Sequence, residues 1–149
     1  MSEIEIGIGT PEGVALTVLT HLNDGKVDDA IAGFAEEFTY EDHGLRLEFK
    51  DKERLSEFFR KTRELYPDSF LEPDTVLVSG NHVTMKWTLQ TTVMERIYGG
   101  LFRKVQVSVH GVSIIRTENG KTTDWADYYD GMTSRRTALA EHFNDWIEL

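Results

Sequence analysis

The chain has 149 residues, of which 40% are hydrophobic, with 26 acidic against 16 basic side chains for a formal net charge of −10, and no cysteine. A chain of this length buries about 70% of the surface its unfolded form exposes, enough for a core without disulfides or a structural metal. The lack of cysteine excludes thiolate catalysis and cysteine-ligated metals, the acidic balance without a basic patch argues against nucleic acid, and no apolar run reaches the ~18 residues of a membrane span. Met1 to Gly9 carries acids where a secretory leader carries Lys or Arg. The expectation is one domain over residues 1–149 in the bacterial cytoplasm, with no nucleic-acid or membrane partner.

Thr10-Pro11-Glu12 reads as a helix start, with Val14, Val18 and Leu22 on one face and Asn23-Asp24-Gly25 as the stop. Val27, Ala30, Ile31, Phe34, Ala35 and Phe38 recur at helical spacing through a second helix. Phe38–Asp42 and Leu45–Lys50 read as short strands, before Asp51 caps a longer helix with Leu55, Phe58, Phe59, Leu65 and Tyr66 inward, ended by Pro67. From Phe70 the period changes to two, with strands expected over Leu71–Ser79, His82–Thr92, Val105–Arg116 and Thr122–Asp130. Gly80-Asn81 and Asn119-Gly120 are two-residue hairpin turns, and Glu95–Lys104 is a loop between hairpins. If Glu118 faces Lys121 across the second turn, Ile114 pairs with Trp125, Val112 with Asp127 and His110 with Tyr129, all on one face. Ser134 is placed to cap a last helix with Leu139, Phe143, Trp146 and Ile147 on one stripe.

This order describes an α+β domain: a curved antiparallel sheet wrapped around helices, a cone whose mouth admits a small hydrophobic molecule. The run His110-Gly111-Val112-Ser113-Ile114-Ile115, Glu118-Asn119-Gly120-Lys121 and Asp124-Trp125-Ala126-Asp127-Tyr128-Tyr129-Asp130 resembles the end of SnoaL-like polyketide cyclases and limonene-epoxide hydrolases, both of the nuclear-transport-factor-2-like superfamily. Tyr40-Glu41-Asp42-His43, Tyr66-Pro67-Asp68 and Trp87-Thr88-Leu89 sit where that family has similar words, so the likeness runs from about Thr10 to Asp130. It implies a cone-shaped, cystatin-like barrel.

Asp127 is the leading candidate, an acid on the face expected to carry Val112, Ile114 and Trp125, where desolvation would make it a stronger base. The resemblance implies the same residue, because the matching Asp of Trp-x-Asp-Tyr acts as general base or acid in those enzymes. His110, expected diagonally beside Asp127, would share or orient its proton, against the competing reading of a structural strand histidine. Tyr40 and Asp42 alternate on one strand face as phenol donor and second carboxyl; in the epoxide-hydrolase pattern a Tyr-x-Asn pair holds water, and Asp42 replaces that Asn. Epoxide hydrolases also carry an Arg-x-Asp where this chain has Arg96-Ile97-Tyr98, so Arg96 fits and Tyr98 replaces the proton-donating acid. Trp125, Tyr128, Tyr129 and Phe102 supply aromatic area for a flat ligand, while Trp87 reads as core. His21, His82 and His142 lack metal-site spacing, so no metal is expected, and no cofactor is required.

The function expected is cofactor-independent proton abstraction beside a carbonyl, of cyclase or isomerase type, with Asp127, His110 and Tyr40 as catalytic residues. Asp42, Arg96, Tyr98, Trp125, Tyr129, Val112 and Ile114 are its expected lining. The alternatives are a ligand-binding or dimeric interaction module without turnover, and an epoxide hydrolase. A homodimer is expected through the last helix or an exposed sheet face.

Overall fold

In the computed structural model, which describes residues 9–130 and 143–146, Thr10 caps α1 (Pro11–Asn23): its hydroxyl accepts from the Gly13 amide at 3.1 Å, and proline fills the first turn. The second helix, α2 (Val27–Ala32), stops short of the expected Phe38, and β1 runs Phe34–Asp42. The four-residue spacing of Phe34 and Phe38 fits a helix face, but both are buried in β1, whose register against β6 shifts between Phe34 and Thr39. Gly33, the C-cap of α2, packs closely on α1: a Cβ there would stand 2.7 Å from Val18 Cγ2. Asp51 caps α3 (Lys52–Leu65), accepting from the amides of Glu53 at 2.7 Å and Arg54 at 3.1 Å, and the helix buries Leu55, Phe58 and Phe59.

The sheet has six strands in the order β2-β1-β6-β5-β4-β3, with β2 (Leu47–Phe49), β3 (Phe70–Ser79), β4 (His82–Arg96), β5 (Phe102–Glu118) and β6 (Lys121–Tyr129). It is curved and unclosed, so the expected barrel is an open cone. The meander β3–β6 is antiparallel, but β1 lies parallel to β6, which makes the sheet mixed. The loop expected over Glu95–Lys104 is shorter, because β4 and β5 pair out to Arg96 and Phe102. The helices cover the concave face, where Val18, Phe34, Leu55, Met85 and Ile115 form the centre of the core.

One irregularity decides which side chains face inward. Asn119 (φ 52°) and Gly120 (φ 77°) form the expected turn, and Glu118 pairs with Lys121. Thr117 then faces Thr122 but Arg116 faces Asp124, so Thr123 is an extra residue in β6. Beyond this bulge Ile115 faces Trp125, Ser113 faces Asp127 and Gly111 faces Tyr129. A one-residue slip transfers every side chain of β5 to the other face. His110, Val112 and Ile114 therefore lie on the convex side, with His110 exposed and Ile114 45% exposed.

Of the expected last helix, Ser134, Leu139 and Ile147 lie outside the described residues. Phe143 is buried against Phe58, with ring centroids 5.2 Å apart, and the Arg54 guanidinium lies 4.2 Å over the Trp146 ring. Phe143 thus belongs to this chain's own core. Among the described residues no helix is long and apolar enough to cross a membrane.

Candidate functional site

The parallel pairing of β1 with β6 sets Asp42 beside Asp127 and Tyr40 beside Trp125. Neighbouring strands lie about 4.8 Å apart, so two inward carboxyl groups share one environment. The phenols cross between the strands. Tyr40 OH donates to Asp127 Oδ2 at 2.6 Å, and Tyr129 OH donates to Asp42 Oδ1 at 2.6 Å. Asp42 Oδ1 also accepts from the Leu45 amide at 2.8 Å. Asp127 Oδ1 accepts from Ser113 Oγ at 2.5 Å and Trp125 Nε1 at 2.8 Å, and Ser113 Oγ accepts in turn from Trp87 Nε1 at 2.8 Å.

Two glycines make room for this arrangement. A Cβ on Gly44 would stand 2.1 Å from the Tyr129 ring, and one on Gly111 would stand 2.3 Å from the Trp87 indole. The Tyr129 and Trp87 rings, which carry two of the network's donors, thus pack where only a glycine backbone leaves room.

Asp42, Asp127, Tyr40 and Tyr129 line a cavity of about 220 Å³ whose other walls include Phe58, Phe59, Leu89 and Val109. That is below the ~300–1,000 Å³ of drug-sized sites and above the ~150 Å³ that holds a benzene ring, so it suits a monocyclic ligand. Burial, then the charge of Asp127, raises the Asp42 carboxyl to about 7 against the partial relief given by Tyr129 and the Leu45 amide. Burial also raises Asp127, but the donors Ser113, Tyr40 and Trp125 pull it back. The two acids are therefore held differently: Asp42 is raised to about 7, in part by the charge of Asp127, while Asp127, also raised, keeps three donors that favour its charged form. Tyr40 is raised well above the ordinary phenol range, chiefly by burial, and stays a donor.

Among the expected site residues, Asp127, Tyr40, Asp42, Trp125 and Tyr129 come together. His110 does not: it is on the convex face, with Nδ1 3.1 Å from Thr88 Oγ1, and Val112 and Ile114 share that face. The expected Asp–His pair is replaced by Asp127 and Ser113. Tyr98 is fully exposed in the turn Tyr98–Gly100, away from the cavity. Arg96 ends β4 opposite Phe102, and its side chain lies outside those described. Sequence reasoning missed Ser113 and the donor role of Trp87. The signal was present as the alternation Gly111, Ser113, Ile115, but it pointed outward as long as no bulge was allowed for.

A mixed, curved sheet covered, among the described residues, by three helices, with polar groups on the inner wall, is the nuclear-transport-factor-2-like or ketosteroid-isomerase-like fold. Solved structures agree. A hypothetical protein with that fold from Catenulispora acidiphila, in complex with trimethylamine, superposes with TM-score 0.67 at 21% identity over 81% of this chain and 87% of its own. A proposed SnoaL-like polyketide cyclase from Jannaschia sp. CCS1 gives 0.71 at 16% identity, covering 86% and 91%. TerC, co-crystallized with polyporic acid, gives 0.69 at 16% identity, covering 88% and 98%. No curated protein matches. The SnoaL-like domain model matches residues 15–125, and the chain belongs to that family.

Proposed function

We propose that the protein carries out cofactor-independent acid/base chemistry on a small hydrophobic carbonyl compound, of cyclase or isomerase type. The observation that carries this reading is the pair of unequal carboxyl groups, Asp42 and Asp127, on the wall of an apolar cavity. Asp127 takes a proton from the carbon beside the carbonyl, and the C–H electron pair moves onto the carbonyl oxygen. Asp42, protonated, donates to that oxygen, as an acid kept neutral in an apolar site can. Return of the proton to a different carbon shifts a double bond; attack of the enolate on a second carbonyl closes a ring. Tyr40 and Ser113 hold Asp127 in place.

One observation favours a second reading. A donor acid beside a base is also what epoxide opening needs, and Asp42 occupies that role where Tyr98 does not. The test is deuterium incorporation into cyclohexanone in heavy water, followed by proton NMR, with cyclohexene oxide hydrolysis run in parallel. The wild-type protein accelerates exchange and Asp127→Asn loses roughly 10²-fold or more. Binding of the ketone without exchange, or exchange unchanged in Asp127→Asn, overturns the base assignment and leaves a ligand-binding protein; epoxide hydrolysis without exchange selects the second reading.

A further inference from the structure

The cavity has a second polar end, formed where α1 and α3 meet the start of β3. Asn23, Thr62, Arg63 and Ser69 lie there. Asn23 is consumed by both backbone groups of Leu71, at 2.9 Å each, and Thr62 Oγ1 donates to the Phe58 carbonyl. Arg63 is different. Its Nη1 donates to the Ser69 carbonyl at 3.2 Å, one of five donors that a guanidinium offers, and among the described residues it has no acidic partner.

The contrast along α3 is sharp. Lys52 pairs with Glu36, Arg60 with Asp28 and Lys61 with Glu64, while Arg54 covers Trp146. In a chain with a net charge of −10, Arg63 is the basic side chain of this helix that lines the cavity, and among the described residues no acid pairs with it. Gly25 backs it, because a Cβ there would stand 3.3 Å from Arg63 Nε. Arg63 also lies one turn beyond Phe59, whose ring meets Tyr40 edge-on with centroids 5.4 Å apart. That turn advances about 6 Å along the helix axis.

We infer that the cavity binds an apolar monocyclic keto acid, its carboxylate on the Arg63 guanidinium and its carbonyl end at Asp42 and Asp127. The planar fork of arginine matches a carboxylate through two parallel hydrogen bonds. The charge on Asp127 repels a second carboxylate, so the ligand has one orientation, with its anionic group away from the base and its α-carbon toward it. This inference rests on the proposed function for the role of the carbonyl end only; the carboxylate contact stands apart from turnover.

The probes are 4-oxocyclohexane-1-carboxylate and its neutral carboxamide, measured by calorimetric titration on the full chain. The acid binds the wild-type protein about tenfold or more tightly than the amide. Arg63→Gln removes that preference while keeping the amide affinity, which also shows that the variant is folded; Arg63→Lys retains part of it, and Asp127→Asn retains or strengthens it. Equal binding of acid and amide, no binding of the acid, or a preference that survives Arg63→Gln overturns the inference. Deuterium exchange at the ring carbons beside the ketone, read on the same samples, separates the two claims. Acid preference without exchange keeps the Arg63 site and removes the base; exchange of the amide without acid preference does the reverse.

Discussion

Replacing Asp42 with Asn tests the unequal acid pair without a substrate. In the folded protein the Asp42 carboxyl is raised from its ordinary 3.8 to about 7, and the residue is 5% exposed. At ~1.4 kcal/mol per pH unit, that difference amounts to about 4 kcal/mol. The sign follows from which state holds the proton. The folded carboxyl binds a proton that the unfolded one has released, so the contribution of Asp42 to stability is fully present below about pH 4 and is lost as the pH rises through about 7. An amide mimics the protonated acid and can still accept from the Tyr129 hydroxyl and the Leu45 amide. Urea unfolding of both proteins from about pH 4 to about pH 8 therefore gives diverging curves, because the −10 background is nearly common to both. Asp42→Asn gains on the wild type with rising pH, by up to about 4 kcal/mol and by at least about 1 if Asp127 takes over part of the proton. Parallel curves, or a variant that falls further behind at high pH, would refute the claim that Asp42 is held in the protonated form.

Ser113→Ala leaves Trp87 Nε1 without its acceptor and removes one donor from Asp127; chemical denaturation should show a loss of about 1–3 kcal/mol. In the same variant the Asp127 titration moves upward, read from its carboxyl carbon by NMR. Gly111→Ala forces a methyl group against the Trp87 indole and the Tyr128 carbonyl, and its unfolding midpoint should fall in line with about 1–3 kcal/mol of overpacking. His110→Ala changes an exposed side chain on the convex face, so its stability stays within about 0.5 kcal/mol of wild type and ketone binding is unaltered; a loss of binding would mean that the imidazole reaches the cavity after all.

Local signals in the chain translate well into local structure. Thr10 with Pro11, Asp51 before α3, and Asn119-Gly120 each act through a cap or a turn conformation that a few neighbouring residues define. The face on which Asp127 looks inward was also legible, because its own strand alternates Trp125, Asp127, Tyr129 without interruption. What lay beyond reach was the relation between strands. The extra Thr123 in β6 has no compositional mark, since threonine is at home in any strand, yet it decides whether His110 or Ser113 stands beside the acid. The pairing of β1 with β6 joins residues 85 positions apart, Asp42 and Asp127, and so the second carboxyl could be named but not placed. Phe34 and Phe38 show the same limit at short range: a helical spacing lies in a strand whose register against β6 is irregular between Phe34 and Thr39.

The central claim is that two buried carboxyl groups divide the roles of acid and base on one cavity wall. Carbon-13 NMR of the aspartate carboxyl groups across the pH range addresses it directly, with Asp42→Asn and Asp127→Asn providing the assignments. The account predicts two resonances with raised midpoints, Asp42 near 7 and Asp127 also above the ordinary value, and a lower midpoint for Asp42 once the charge of Asp127 is removed. Ordinary titration of both groups near 4, with neither responding to loss of the other, would contradict it.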